Sequence, residues 1–248
     1  MKYVFAVLVS AAIIWSFLVP DAPMFQRPEL ARIFFWHFPC PMMLTAFMCL
    51  GAFFSLRYFV KITLPLEPET NPTERRLWDL RATAALELGF LYAILTMATG
   101  IVFSKAQWGA LWQWDPRQTS FLIALLIYGA YFALRAAFSD PDQKAAYSAA
   151  YMLAATLPLI FLIFVFPRLP QVLAVSFHPT DTIMGGNLKG QYLYVTLTLL
   201  ALVSVLSGWV YRLRVKAGLL EIDNELEDAS GATGAIPVVR PVRVPAED

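Results

Sequence analysis

The sequence predicts an all-α polytopic membrane protein: six transmembrane helices with both termini on the cytoplasmic side. Of its 248 residues, 58% are hydrophobic and only 15% charged, and the mean hydropathy is +0.59. Soluble domains carry about 25% charged residues. Six apolar runs approach or exceed the ~20 residues that cross about 30 Å of hydrocarbon. The runs lack the period-two alternation of strands, and short connections join them, which favours antiparallel neighbours in one bundle.

The first run, 3–20, follows Lys2 and ends at Val19-Pro20-Asp21. It resembles a signal peptide but has no A-x-A cleavage pattern, so it reads as a retained helix. The second, 39–60, opens with Pro39, which suits a first helical turn. It closes with Arg57 and Lys61, whose stems snorkel toward the inner surface. The third, 84–104, places Glu87 in its first turn, where a carboxylate complements the helix dipole. The fourth, 119–138, follows Asp115-Pro116, an N-cap and first-helical-residue pair. The fifth, 148–167, contains Pro158, and the sixth, 190–211, runs into Arg212, Arg214 and Lys216. Cys40 and Cys49 fall on opposite faces of one helix and read as buried small hydrophobes. Residues 1–216 therefore read as one transmembrane domain. Residues 217–248 are rich in Glu, Asp, Ala, Gly, Pro and Val without an apolar period, and read as a flexible cytoplasmic tail.

Lysine and arginine set the orientation. With the N-terminus inside, thirteen of these residues lie on the cytoplasmic side. Six lie outside: Arg27, Arg32, Lys105, Arg117, Arg168 and Lys189. Net charge is +1, so nothing points to nucleic acid.

That topology puts both histidines, His37 and His178, on the outer side, along with the densest aromatic feature of the chain. Residues 105–120 read KAQWGALWQWDPRQTS, with Trp108, Trp112 and Trp114 within seven residues. Indoles outside the spans need a flat apolar partner, which the membrane interface or a planar ligand supplies. His37 sits at the start of span two, where the helix dipole disfavours imidazolium and keeps a neutral, metal-binding ring. His178 precedes Pro179, which biases it toward an extended loop conformation. Each feature has a plainer reading taken singly: a solvated histidine, an aromatic belt, a structural N-cap at Asp115, rim charges at Arg32, Lys105, Arg117, Arg168 and Lys189. Together on one face, imidazoles, indoles and guanidiniums match what haem requires: axial ligands, an apolar surface and cations for propionates. Zinc fits poorly, since two histidines fall short of three or four ligands. No nucleophile–base pair, CxxC or carboxylate pair supports bond-making catalysis, so a non-enzymatic role is expected.

The string WGALWQWDPRQTS resembles the tryptophan-rich signature of the WWD cytochrome c assembly family. More narrowly, residues 28–212 are similar to the CcmC-type haem-handling members. The shared features are the six-span layout, Arg32 five residues before a histidine, the signature loop, and a second histidine before the last span. The resemblance implies His37 and His178 as axial ligands of transiently bound haem b at the periplasmic face of a bacterial inner membrane. It implies Trp108, Gly109, Trp112, Trp114 and Asp115 as the haem-bearing surface, with Arg117 and Arg32 in propionate or partner contacts. It further implies delivery of haem to the periplasmic chaperone CcmE, beside the ABC-type complex CcmA–CcmB and the small protein CcmD. Leu111 and Pro116 depart from the residues common at those signature positions. Alternative expectations are a transporter subunit moving haem across the bilayer, a bis-histidine electron carrier, and a ligand-free scaffold.

Overall fold

The computed structural model describes residues 2–63, 72–178, 186 and 188–231. Among these the secondary structure is entirely helical. Helix α1 spans Lys2–Leu18; a 3₁₀ turn, Pro28–Ile33, leads into the short α2, Phe34–His37, and then α3, Pro39–Thr63. Next come α4, Pro72–Trp108, α5, Pro116–Ala137, and α6, Pro141–Ile160. A π turn at Phe161–Val165 and a 3₁₀ turn at Phe166–Arg168 precede the short α7, Pro170–Leu173, and the long α8, Gly190–Gly231.

Among the described residues, five helical stretches are long and apolar enough to cross a bilayer: Pro28–Thr63, Glu74–Trp108, Pro116–Ala137, Pro141–Arg168 and Gly190–Glu225. The all-α polytopic expectation therefore holds. The first of the six expected spans, α1, is a shorter apolar helix of 17 residues, near the lower limit for a crossing.

Helix α4 is central, packing on α3, α5 and α8. Lipid supplies no hydrophobic drive between helices, so close backbone approach and polar contacts hold the bundle together. Gly51 of α3 is one such approach, since a Cβ there would enter the Leu86 side chain of α4. At the end away from the histidines, two ion pairs join separate helices. Arg135 pairs bidentately with Asp79 at 2.7 and 2.9 Å, and Arg214 with Glu87 at 2.7 and 3.1 Å. Glu87 does not occupy a first helical turn as expected. Helix α4 begins at Pro72, so Glu87 lies well inside it and serves as the anchor of α8.

Two further boundaries differ from the sequence expectation. Helix α8 continues past 216 to Gly231, because Lys216–Ser230 is rich in helix formers and Arg76 meets Glu225 at 3.8 Å. Only 232–248 of the expected tail lies outside the described residues. Cys40 is buried as expected, but Cys49 is exposed on the outer surface of the bundle.

Candidate functional site

The site begins with how His37 is held. Residues 28–37 pack against the start of α8, where the Tyr192 hydroxyl donates to Ala31 O at 2.6 Å and its ring lies 4.2 Å from Phe35. This seats the His37 ring beside α4. Gly100 leaves the room: a Cβ there would sit 3.1 Å from His37 Cε1. Phe103, one turn further along α4, stacks on the ring, nearly parallel at 18° with centroids 6.0 Å apart. His37 Nδ1 lies 2.9 Å from Thr99 Oγ1, and the Thr99 hydroxyl donates to Leu95 O at 2.6 Å. A hydroxyl has one proton, so Thr99 accepts from His37. The ring proton is then on Nδ1, and the Nε2 lone pair is free. Pro39 does open α3, as expected, but α2 precedes it directly, so His37 rides on a helical turn instead of preceding one.

The tryptophan loop is built between α4 and α5. Gly109, at φ +89°, ends α4 in the left-handed conformation a glycine adopts without penalty, and its N–H bonds Lys105 O. Side chains then satisfy the loop backbone. Ser104 donates to Ala110 O at 2.8 Å, and Gln118 accepts from Gln113 N at 3.0 Å. Trp114 adopts φ +53°, a conformation bulky residues rarely hold, and it is 78% exposed with its ring edge-on to Trp112.

Asp115 joins this loop to the segment bearing His178. It is 2% exposed. One oxygen caps α5 by accepting from Arg117 N at 2.8 Å. The other accepts from Ser176 Oγ at 2.9 Å and Phe177 N at 2.6 Å. His178 Nδ1 faces the same carboxylate, 3.5 Å from Oδ1. Burial alone would raise the Asp115 pKa. The adjacent His178 ring and the N–H groups of Arg117 and Phe177 outweigh it and hold the carboxyl well below the usual range. At 3.5 Å the His178 ring and the carboxylate are close enough to pair only as charges, and Nδ1 is buried without a hydrogen-bond partner. Trp108 supports the ring from the side, edge-on at 4.8 Å. Pro179 and the loop to 185 lie outside the described residues.

His37 and His178 line one cavity of about 250 Å³. Its walls are apolar toward the bundle, from Leu44, Met97, Phe121, Leu162 and Ile163, while Arg117 and Arg168 are its cations. Sites for drug-sized ligands run to about 300–1,000 Å³, so a larger planar molecule is enclosed only in part.

Of the residues singled out from sequence, the fold brings His37, His178 and Arg117 to this cavity, with Trp108 packed against His178 and Asp115 beneath it. Gly109 shapes the loop. Trp112 and Trp114 lie outside the cavity lining, as does Arg32, which donates to Asp21 at 2.7 Å and Val19 O at 2.8 Å and so ties the Pro28–Ile33 turn to the end of α1. Sequence reasoning did not single out Thr99 or Gln118, and it treated Arg168 as a rim charge. Thr99 gains its partner His37 only through the packing of separate helices, whereas Gln118 bonds within the tryptophan loop and Arg168 bonds Phe164 O one turn back. Among the described residues, no group of three or more His, Cys, Asp and Glu could hold a metal ion.

The family model of heme exporter protein C, CcmC, matches residues 1–207. The chain belongs to the CcmC family. Heme exporter protein C of Paracoccus denitrificans is 29% identical over 133 residues, 54% of this chain and 49% of the relative. That of Rhodobacter capsulatus is 42% identical over 66 residues, 27% of each chain. That of Escherichia coli K12 is 29% identical over 137 residues, again 54% of this chain and 49% of the relative. The chain thus spans about half the length, or less, of these curated CcmC relatives.

Proposed function

We propose that this chain binds haem at the periplasmic face of a bacterial inner membrane and passes it on for the assembly of c-type cytochromes. Family membership supports the cargo, and the observation that carries the reading is the pair of imidazoles on one cavity. Each has its Nδ1 turned to a protein oxygen, Thr99 for His37 and Asp115 for His178. The hydrogen bond at His37 leaves its Nε2 for axial ligation of haem b, whose iron takes histidine ligands on its two faces, and His178 lines the same cavity as the second ligand.

The remaining residues have distinct parts. Trp108 and Phe103 stiffen the two imidazoles, and Asp115 fixes the His178 segment as a positioning residue. Trp112 and Trp114 provide an apolar rim beyond the cavity for the part of the macrocycle the walls do not cover. A shallow cavity suits release, because a donor must let its cargo go. The acceptor on this reading is the chaperone CcmE, with CcmA–CcmB and CcmD as membrane partners, and this chain holds and transfers haem without catalysing bond formation.

The test is the haem spectrum of the purified protein. Wild type should show a Soret band that falls sharply in His37→Ala and His178→Ala and disappears in the double variant. Full haem content and undiminished cytochrome c maturation in the double variant would overturn the reading.

A further inference from the structure

Arg168 reaches the cavity through an irregularity in the fifth span. Pro158, inside α6, has no N–H to give Ala154 O, and just beyond it the helix widens into the π turn, where Phe166 N bonds back to Phe161 O. One extra residue in a turn rotates the chain beyond it by about 100°. Arg168, just past that turn, thus comes to line the same cavity as Arg117.

The two guanidiniums are held by carbonyls of the 3₁₀ turn and of the π turn before it. Arg117 Nη2 donates to Pro167 O at 3.0 Å, and Arg168 Nη1 to Phe164 O at 2.6 Å. Among the described residues neither guanidinium takes part in an ion pair. Arg117 Nε is buried without a hydrogen-bond partner. The nearby Asp115 carboxylate already accepts from Arg117 N, Ser176 and Phe177. Two cations sharing one cavity with an unused buried donor want an anion, and guanidiniums match carboxylates in geometry. The apolar wall formed by Leu44, Phe121, Leu162 and Ile163 requires the rest of that ligand to be hydrophobic.

The family resemblance already implies a propionate contact for Arg117; we propose that Arg168 is the second arm of that carboxylate clamp, and its specificity-determining member, selecting a tetrapyrrole bearing free acid groups. Arg32 has no part in it, being bound to Asp21 and Val19. The inference rests on the haem-binding reading above.

The test compares iron protoporphyrin IX with its dimethyl ester, titrated into the purified full chain and read by the Soret band. Wild type should bind the diacid at least about tenfold more tightly than the ester. Arg168→Gln should lose most of that preference, with an unchanged thermal melt in detergent showing that the variant is folded. Arg168→Lys should recover part of the preference, since lysine restores the charge without the fork. Equal affinity of wild type for diacid and ester, or an unchanged preference in Arg168→Gln, would overturn the clamp and leave the histidine reading standing. Failure of wild type to bind either form through His37 and His178 would remove both.

Discussion

The Asp115 carboxylate accepts a 2.6 Å hydrogen bond from the Phe177 backbone N–H, across 62 positions of sequence. With the Ser176 hydroxyl on the same oxygen, it ties the tryptophan loop to the segment that carries His178. Asp115→Ala removes a helix cap, worth about 0.5–2 kcal/mol, and leaves donors without a partner at about 1–3 kcal/mol each. The variant should unfold at lower temperature and expose the loop to protease, with less haem retained. A protease pattern and haem content equal to wild type would mean the carboxylate does not organise the loop.

Acid dependence arises from the same group. A carboxyl held below its ordinary value of 3.8 in the folded state contributes stability that is fully present above that value. The contribution is lost only as pH falls through the lower, folded value. Protection of the loop should therefore be flat from pH 8 to about pH 5 and weaken only in stronger acid. Asp115→Asn should abolish that acid limb. A transition near pH 6, retained in the variant, would assign control to another group.

Thr99 fixes the proton of His37 without touching any ligand-facing atom. Partners of this kind typically matter by about 10–100-fold in metal affinity. Thr99→Val should weaken haem binding within that range, Thr99→Ser should restore it, and thermal stability should change little. Identical Soret titrations for Val and Ser variants would show that the contact is incidental.

Gly100→Ala separates stability from binding. Alanine gains up to about 1 kcal/mol of helix propensity, yet its Cβ would press on the His37 ring. Melting temperature should stay level or rise while haem content drops. Gly208→Ala, where a Cβ meets nothing within 4 Å, is the matched control and should leave haem content unchanged.

The pair between Arg135 and Asp79 lies at the opposite end of the bundle and is largely buried. Asp79→Asn strands a guanidinium among helices and should cost about 3–5 kcal/mol. Detergent stability should fall, while whatever protein remains folded binds haem normally. A selective loss of haem affinity with unchanged stability would mean that the two ends are coupled.

Hydropathy and turn chemistry are local properties, and they made the all-α membrane class, the run of helices from Pro39 onward and the cap at Asp115 legible in the sequence. Charge distribution and the placement of both histidines outside the spans pointed to one face, and the fold joins them in one cavity. Tertiary structure decided what local pattern does not encode. Arg168 faces the cavity because a π turn rotates it there, and Arg32 does not because Asp21 holds it. Thr99 orients His37 across 62 positions, and Trp112 and Trp114 pack outside the lining. Helix α8 outruns its apolar segment because helix formers and Arg76 carry it onward. A side chain's partner is set by how separate helices are packed and rotated, and no window of residues along one helix contains that information.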